Sequence, residues 1–172
     1  MDLKSKIRVI EGFPTEGISY KDITSLLRDK DALREMVKAL SKELESYDFD
    51  YVVGIESRGF IVGALVAYEL NKGFVMVRKP GKLPGKTISQ SYELEYGNNT
   101  IEMHVDDIEE GSKVVIMDDL LATGGTVKAC CDLVEKVGGE IQCLLFLAEL
   151  TGLNAREILK DYDVKSLVQW DH

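Results

Sequence analysis

Short apolar runs alternate with stretches of helical period along this chain, and that alternation leaves few architectures open. Residues 51–55, 74–77, 113–117 and 141–147 read as buried strands, 164–170 as a final strand, and 100–105 as one arm of a hairpin. Between them lie helical patterns. In residues 31–47, Leu33, Met36, Val37, Leu40 and Leu44 make one apolar stripe, with Asp29 or Asp31 placed to cap its start. Residues 58–70 are apolar around much of the helix through Phe60, Ile61, Ala64, Leu65 and Tyr68. Residues 126–137 turn Val127, Cys130, Cys131, Val134 and Val137 inward and stop at Gly138-Gly139, and 154–162 make a short helix. Buried strands alternating with helices predict an α/β fold: a doubly wound, mostly parallel sheet in a single domain of 172 residues. Ligands of such sheets sit beyond the carboxyl ends of the strands.

Composition narrows the function classes. Hydrophobic content of 45% with 30% charged residues is that of a globular chain. No apolar run reaches the roughly 20 residues that span a bilayer, and residues 1–6 lack the hydrophobic segment of a secretory signal. Cys130, Cys131 and Cys143 form no metal-binding spacing and fit reduced thiols, so the expected location is cytoplasmic. Two imidazoles, His104 and His172, are too few for chemistry built on several histidines. A net charge of −9 argues against a nucleic-acid surface, which needs Lys and Arg to neutralise phosphates.

The strongest local signal is a buried strand that ends in Asp118 and Asp119, then a small-residue turn, Ala122, Thr123, Gly124, Gly125 and Thr126, that opens a helix. Successive amides at a helix start, with the Thr123 and Thr126 hydroxyls, make a phosphate cradle, and glycines let a ligand approach the backbone. Neither the Walker spacing nor a dinucleotide G-x-G-x-x-G is present. Carboxylates beside such a cradle make sense when the ligand also carries hydroxyls, as a phosphorylated sugar does.

This string resembles the signature of the type I phosphoribosyltransferases. The resemblance implies that Asp118 and Asp119 bind ribose hydroxyls and that Ala122, Thr123, Gly124, Gly125 and Thr126 hold the 5-phosphate. Three further segments are similar to the adenine-using branch of that family, so that the likeness runs from Phe13 to about Leu150. Residues 13–24 resemble a hood over the base (residues 1–30 in all), in which Tyr20 and Lys21 frame the purine, partly through backbone groups; Lys21 stands where some relatives have Arg. Residues 54–60 resemble the pyrophosphate loop, with Ser57, Arg58 and Gly59 as ligands and a non-proline cis peptide expected there. Residues 78–91, with two prolines, two glycines and four Lys or Arg, read as a mobile loop. They resemble part of a lid (78–105) that brings Arg78 or Lys82 to the pyrophosphate.

Glu95, in the Leu94-Glu95-Tyr96-Gly97 match, aligns with a glutamate that hydrogen-bonds purine N7 and is the expected catalytic residue. Glu93 competes with it, because two-residue spacing on an extended segment puts both on one face. Taken by itself, Glu95 is a surface acid. Relatives acting on hypoxanthine and guanine carry an aspartate at the place of Ala122. The family likeness therefore implies transfer of ribose 5-phosphate from phosphoribosyl pyrophosphate to adenine, giving AMP and pyrophosphate. It also implies Mg2+ held mainly by substrate, no protein metal site, no nucleic acid or membrane partner, and a homodimer. Another base (hypoxanthine, guanine, xanthine or orotate) or a non-catalytic nucleotide-sensing regulator on the same scaffold are the alternatives.

Overall fold

The computed structural model describes residues 1–94 and 96–172. Along the chain come β1 (Arg8–Glu11), β2 (Ser19–Asp22), α1 (Thr24–Leu27), α2 (Lys30–Glu43), β3 (Tyr51–Ile55), α3 (Arg58–Glu69), β4 (Gly73–Val77), β5 (Thr87–Leu94), β6 (Gly97–His104), β7 (Lys113–Leu121), α4 (Gly125–Lys136), β8 (Glu140–Leu150), α5 (Ala155–Ile158) and β9 (Val164–Trp170). Five strands form one wholly parallel sheet in the order β4-β3-β7-β8-β9, and β1-β2 and β5-β6 are separate antiparallel pairs.

Period-2 alternation divides the sheet's side chains between two cores. Val114 and Ile116 of β7, with Leu144 and Phe146 of β8, pack under α4 and the β5-β6 hairpin. Val115, Met117, Cys143, Leu145 and Leu147 face α2, α3 and the N-terminal segment. On α2, Met36 and Leu40 are fully buried, and Leu44 just past its end is nearly so, while Leu33 and Val37 are half-buried. Asp29 is the cap, accepting from the amides of Asp31 and Ala32 at 3.0 and 3.2 Å.

All five strands point the same way, so their carboxyl ends share one edge. From β3 the chain winds outward to β4, and from β7 it winds the other way through β8 to β9. The direction of winding therefore reverses between β3 and β7, where a ligand crevice opens.

Several boundaries differ from the sequence expectation. Strand β7 does not end before the two acids but runs through them to Leu121, because β8 continues opposite it as far as the Leu121–Glu149 pair. The expected loop 78–91 is shorter, since residues from Thr87 onward pair across a long hairpin with His104 back to Gly97. The short helix of 154–162 contracts to Ala155–Ile158. Strands β1 and β2 have no counterpart in the sequence reading: β1 is exposed throughout and buries no alternating face. On α3 the buried residues are Gly59, Val62, Gly63, Val66 and Ala67, while Ile61 and Tyr68 are exposed.

Leu144 is fully buried between β7 and β9, beneath α4. Leu144→Ala should lower unfolding free energy by about 2–5 kcal/mol, the usual range for a buried leucine truncated without collapse of the cavity. Urea unfolding reads the loss; a change well below that range would mean that the core relaxes into the vacated space.

Candidate active site

The turn from β3 into α3 forms one wall of the crevice. The Glu56–Ser57 peptide is cis, as the family likeness implied, and α3 begins directly after it at Arg58. Ser57 makes no side-chain cap, so the first amides of α3 keep their hydrogen-bonding capacity for a ligand. Gly59 is where β7 comes closest. A Cβ there would stand 2.7 Å from Asp118 Oδ1 and 3.3 Å from the Met117 carbonyl oxygen, so any side chain would displace Asp118.

Arg58 joins three elements. Its Nε donates to Asp119 Oδ2 at 2.6 Å, and its Nη1 donates to the Tyr20 hydroxyl at 2.5 Å. The guanidinium lies 5.7 Å from the Tyr20 ring centre, and Tyr20 in turn meets Phe13 edge-on at 5.1 Å. Glu56, close to Arg58 in sequence, pairs with Arg78 instead.

The two acids differ in environment. Asp119 is buried against Arg58. Asp118 accepts from the Asp119 amide at 2.8 Å and lies beside Gly59. Burial, and then the adjacent Asp119 charge, push the Asp118 carboxyl well above the usual carboxylate range.

Beyond β7, Gly124 sits in the left-handed region at φ +93 and Gly125 starts α4, a nest-like sequence of conformations that turns amides toward one point. Asp118, Ala122, Thr123, Gly124 and Thr126 line a small pocket there. The Thr126 hydroxyl is 2.8 Å from that of Tyr92, whose ring lies over Gly125. Sequence reasoning missed this use of Tyr92. Its only signal was membership of the hairpin motif, and nothing in spacing links it to a residue 34 positions later.

Arg78 lies at the end of β4. Its Nε donates to Glu56 Oε1 at 2.7 Å, and its guanidinium rests 5.7 Å from the Phe60 ring centre. Glu56, although burial opposes it, is held below its usual pKa by the Arg78 bond. A cavity lined by Glu56, Arg78, Tyr92, Asn99 and Thr126 lies between this pair and the β5-β6 hairpin. Lys82 is exposed on the segment before β5.

The structure does not bring the Lys21 ammonium to this cluster. Strand alternation turns it to the opposite face of β2 from Tyr20, where it is buried, donates to Ser19 Oγ at 2.6 Å and lies 5.3 Å from the Trp170 ring centre. Glu95 lies outside the described residues; Glu93 is exposed on β5 opposite Asn98.

The crevice therefore gathers Tyr20, Ser57, Arg58, Gly59, Asp118, Asp119 and the turn from Ala122 to Thr126. It offers anion-binding amides, one guanidinium and two carboxyl groups within a single cleft. A family profile for the phosphoribosyl transferase domain matches residues 19–172. Over 170 residues the chain is 59% identical to the adenine phosphoribosyltransferase of Alkaliphilus metalliredigens, spanning 99% of this chain and 100% of that protein. The crystal structure of adenine phosphoribosyltransferase from Thermoanaerobacter pseudethanolicus superposes with a TM-score of 0.96 at 50% identity, covering 98% of each chain. The Saccharomyces cerevisiae enzyme, complexed with adenine and an imino-altritol bisphosphate, superposes with a TM-score of 0.91 at 37% identity over 96% of each chain.

The Asp118 environment has a measurable consequence. An acid whose folded pKa is raised keeps its proton where the unfolded chain has lost it. Its protection is complete below the unfolded value and disappears as pH rises through the folded one. Asp118→Asn keeps the acceptor for the Asp119 amide but cannot ionise. Its melting temperature should gain on that of the unsubstituted protein as pH rises from about 4 to about 9. A gap that stays constant with pH would show that ionisation of Asp118 carries no such penalty.

Proposed function

We propose that this chain, which belongs to the adenine phosphoribosyltransferase family, converts adenine and phosphoribosyl pyrophosphate to AMP and pyrophosphate. The observation that carries the reading is the Asp118–Asp119 pair feeding directly into the Gly124-Gly125 turn, with Arg58 across the cleft. That set suits one ligand with hydroxyls, a monophosphate and a diphosphate.

In this reading the amides of 122–126 and the Thr123 and Thr126 hydroxyls hold the 5-phosphate. Asp118 and Asp119 hold the ribose hydroxyls. Arg58, the amides at Ser57 and Gly59, and the Arg78 and Lys82 cations take the pyrophosphate. Tyr20 covers the base and Lys21 contacts it through its backbone, with residues 1–30 as a hood and 78–105 as a lid that excludes water. Adenine N9 supplies the electron pair that forms the bond to the anomeric carbon. The carbon–oxygen bond to the diphosphate breaks, its pair leaves on pyrophosphate, and the N9 proton is lost. Catalysis is then mainly alignment and stabilisation of the departing charge. Glu95 assists at N7, and Ala122, which puts no acid in the phosphate turn, favours adenine over hypoxanthine and guanine.

Mg2+ completes the proposal. A hard cation of this kind takes oxygen ligands, and the diphosphate oxygens would supply most of them. When bound it neutralises part of the leaving group's charge. A cytoplasmic site of action is supported by three free, buried thiols. A homodimer is supported by an apolar groove in which Leu33 and Val37 of α2 meet Leu65 and Tyr68 of α3, with Tyr68 86% exposed.

The reaction is tested by following AMP and pyrophosphate with adenine, hypoxanthine, guanine, xanthine and orotate, with and without Mg2+. AMP from adenine alone is the expected result, and no product with any base would end the reading. Glu95→Gln should reduce turnover by about 10²–10⁴-fold at nearly unchanged substrate affinity; full turnover would remove Glu95 from proton handling. For the dimer, Tyr68→Glu should shift the mass measured by light scattering from two chains toward one. A dimer that survives the substitution would place the interface elsewhere.

A further inference from the structure

The floor beneath the phosphate turn is a helix too short to stand alone. Gly124 rests on α5: a Cβ there would lie 3.0 Å from Ile158 Cδ1 and 3.1 Å from Ala155 Cβ. Four residues are far below the length at which a helix is stable in water, and α5 has no side-chain cap. Its Ala155 is buried, as is Leu159 next to it, but an additional tie fixes its position.

That tie is Arg156. Its Nη2 and Nε donate to the Glu149 carboxylate at 2.9 Å each, and its Nη1 donates to the Val164 carbonyl at 3.1 Å. Glu149, only 3% exposed, also accepts from Ser166 at 2.7 Å. Glu149 stands opposite Leu121 in the sheet, the last strand residue before the turn. A bidentate pair between a half-exposed arginine and a buried carboxylate thus links β8 and β9 to the helix that supports Gly124, within one residue of where β7 becomes the phosphate turn. No part of the proposed chemistry uses these side chains.

We propose that Arg156, held by a Glu149 carboxylate that Ser166 also bonds, is a positioning residue for the 5-phosphate turn. Amides that bind an anion act through orientation, and small displacements of a preorganised site weaken it. With α5 untethered, Ala155 and Ile158 no longer set the height of Gly124, and sugar-phosphate binding suffers while the base subsite at β2 does not. This deepens the phosphoribosyl-transfer reading and rests on it.

The test varies each substrate separately for Arg156→Met, Arg156→Lys and the double variant Arg156→Met with Glu149→Gln, in the full chain. Arg156→Met should raise KM for phosphoribosyl pyrophosphate by about tenfold and leave KM for adenine within about twofold. Arg156→Lys, a single-point cation in place of a fork, should recover part of that loss. The double variant leaves no bare buried carboxylate and keeps the question answerable if Arg156→Met fails to fold; it should still show the selective rise. Calorimetric titration with ribose 5-phosphate should weaken in parallel. Folded variants that melt lower yet keep the unsubstituted KM for phosphoribosyl pyrophosphate would overturn the positioning role, as would equal rises in both KM values. Failure of the unsubstituted protein to make AMP would instead strike the reaction itself.

Discussion

The ion pair between Arg58 and Asp119 holds the cleft in one shape. It spans the point where the sheet's winding reverses, with Arg58 at the head of α3 and Asp119 on β7, and its second arm reaches Tyr20 on β2. A 2.6 Å contact to a carboxylate that is 5% exposed is far from a surface salt bridge, which contributes little. Truncating Arg58 would leave the buried Asp119 carboxylate without its partner, whereas truncating Asp119 would leave a guanidinium that solvent still reaches. The same contact also sets how near α3 comes to β7. Gly59 is the residue that tolerates that approach, because Asp118 already occupies the space of a side chain.

Two neighbouring acids consequently have different chemistry. Asp118 lies against Gly59 and beside the Asp119 carboxyl, and Asp119 meets the Arg58 guanidinium. Burial raises the proton affinity of Asp118, whereas Asp119 finds a permanent cation. The raised affinity of Asp118 for its proton comes at the expense of stability as pH rises. Arg78 is similarly occupied, by Glu56. Any other anion approaching Arg78 must compete with that carboxylate for the guanidinium.

Much of this was legible because hydrophobic periodicity is strong where both faces of a strand are covered. Residues 51–55 and 164–170 matched their strands, and the acid-then-glycine turn after 113–117 pointed to the cleft. Legibility failed where packing is one-sided or absent. Strand β1 has four exposed residues and no pattern, and β5 is concealed by the prolines, glycines and lysines immediately before it. The family likeness sets Lys21 with Tyr20 over the base, partly through backbone groups, and because neighbours in a strand face opposite ways their two side chains part. Long-range pairings such as Arg58 with Asp119, Tyr92 with Thr126, and Arg78 with Glu56 carry no local signal at all, since folding alone brings them together.

The overhang of β7 bears on how recognition here can change over time. Strand β3 accompanies β7 only as far as the Gly54–Met117 pair, while β8 stays with it to Leu121. From Asp118 onward one flank of β7 has no neighbouring strand, and its main chain borders the crevice directly. Polar groups there belong to every amino acid alike, so replacing the side chain of Leu120 or Leu121 alters packing without deleting them. Contacts made along that flank are in effect shielded from point mutation. A scan of side chains would therefore report a smaller ligand footprint than the one the backbone provides.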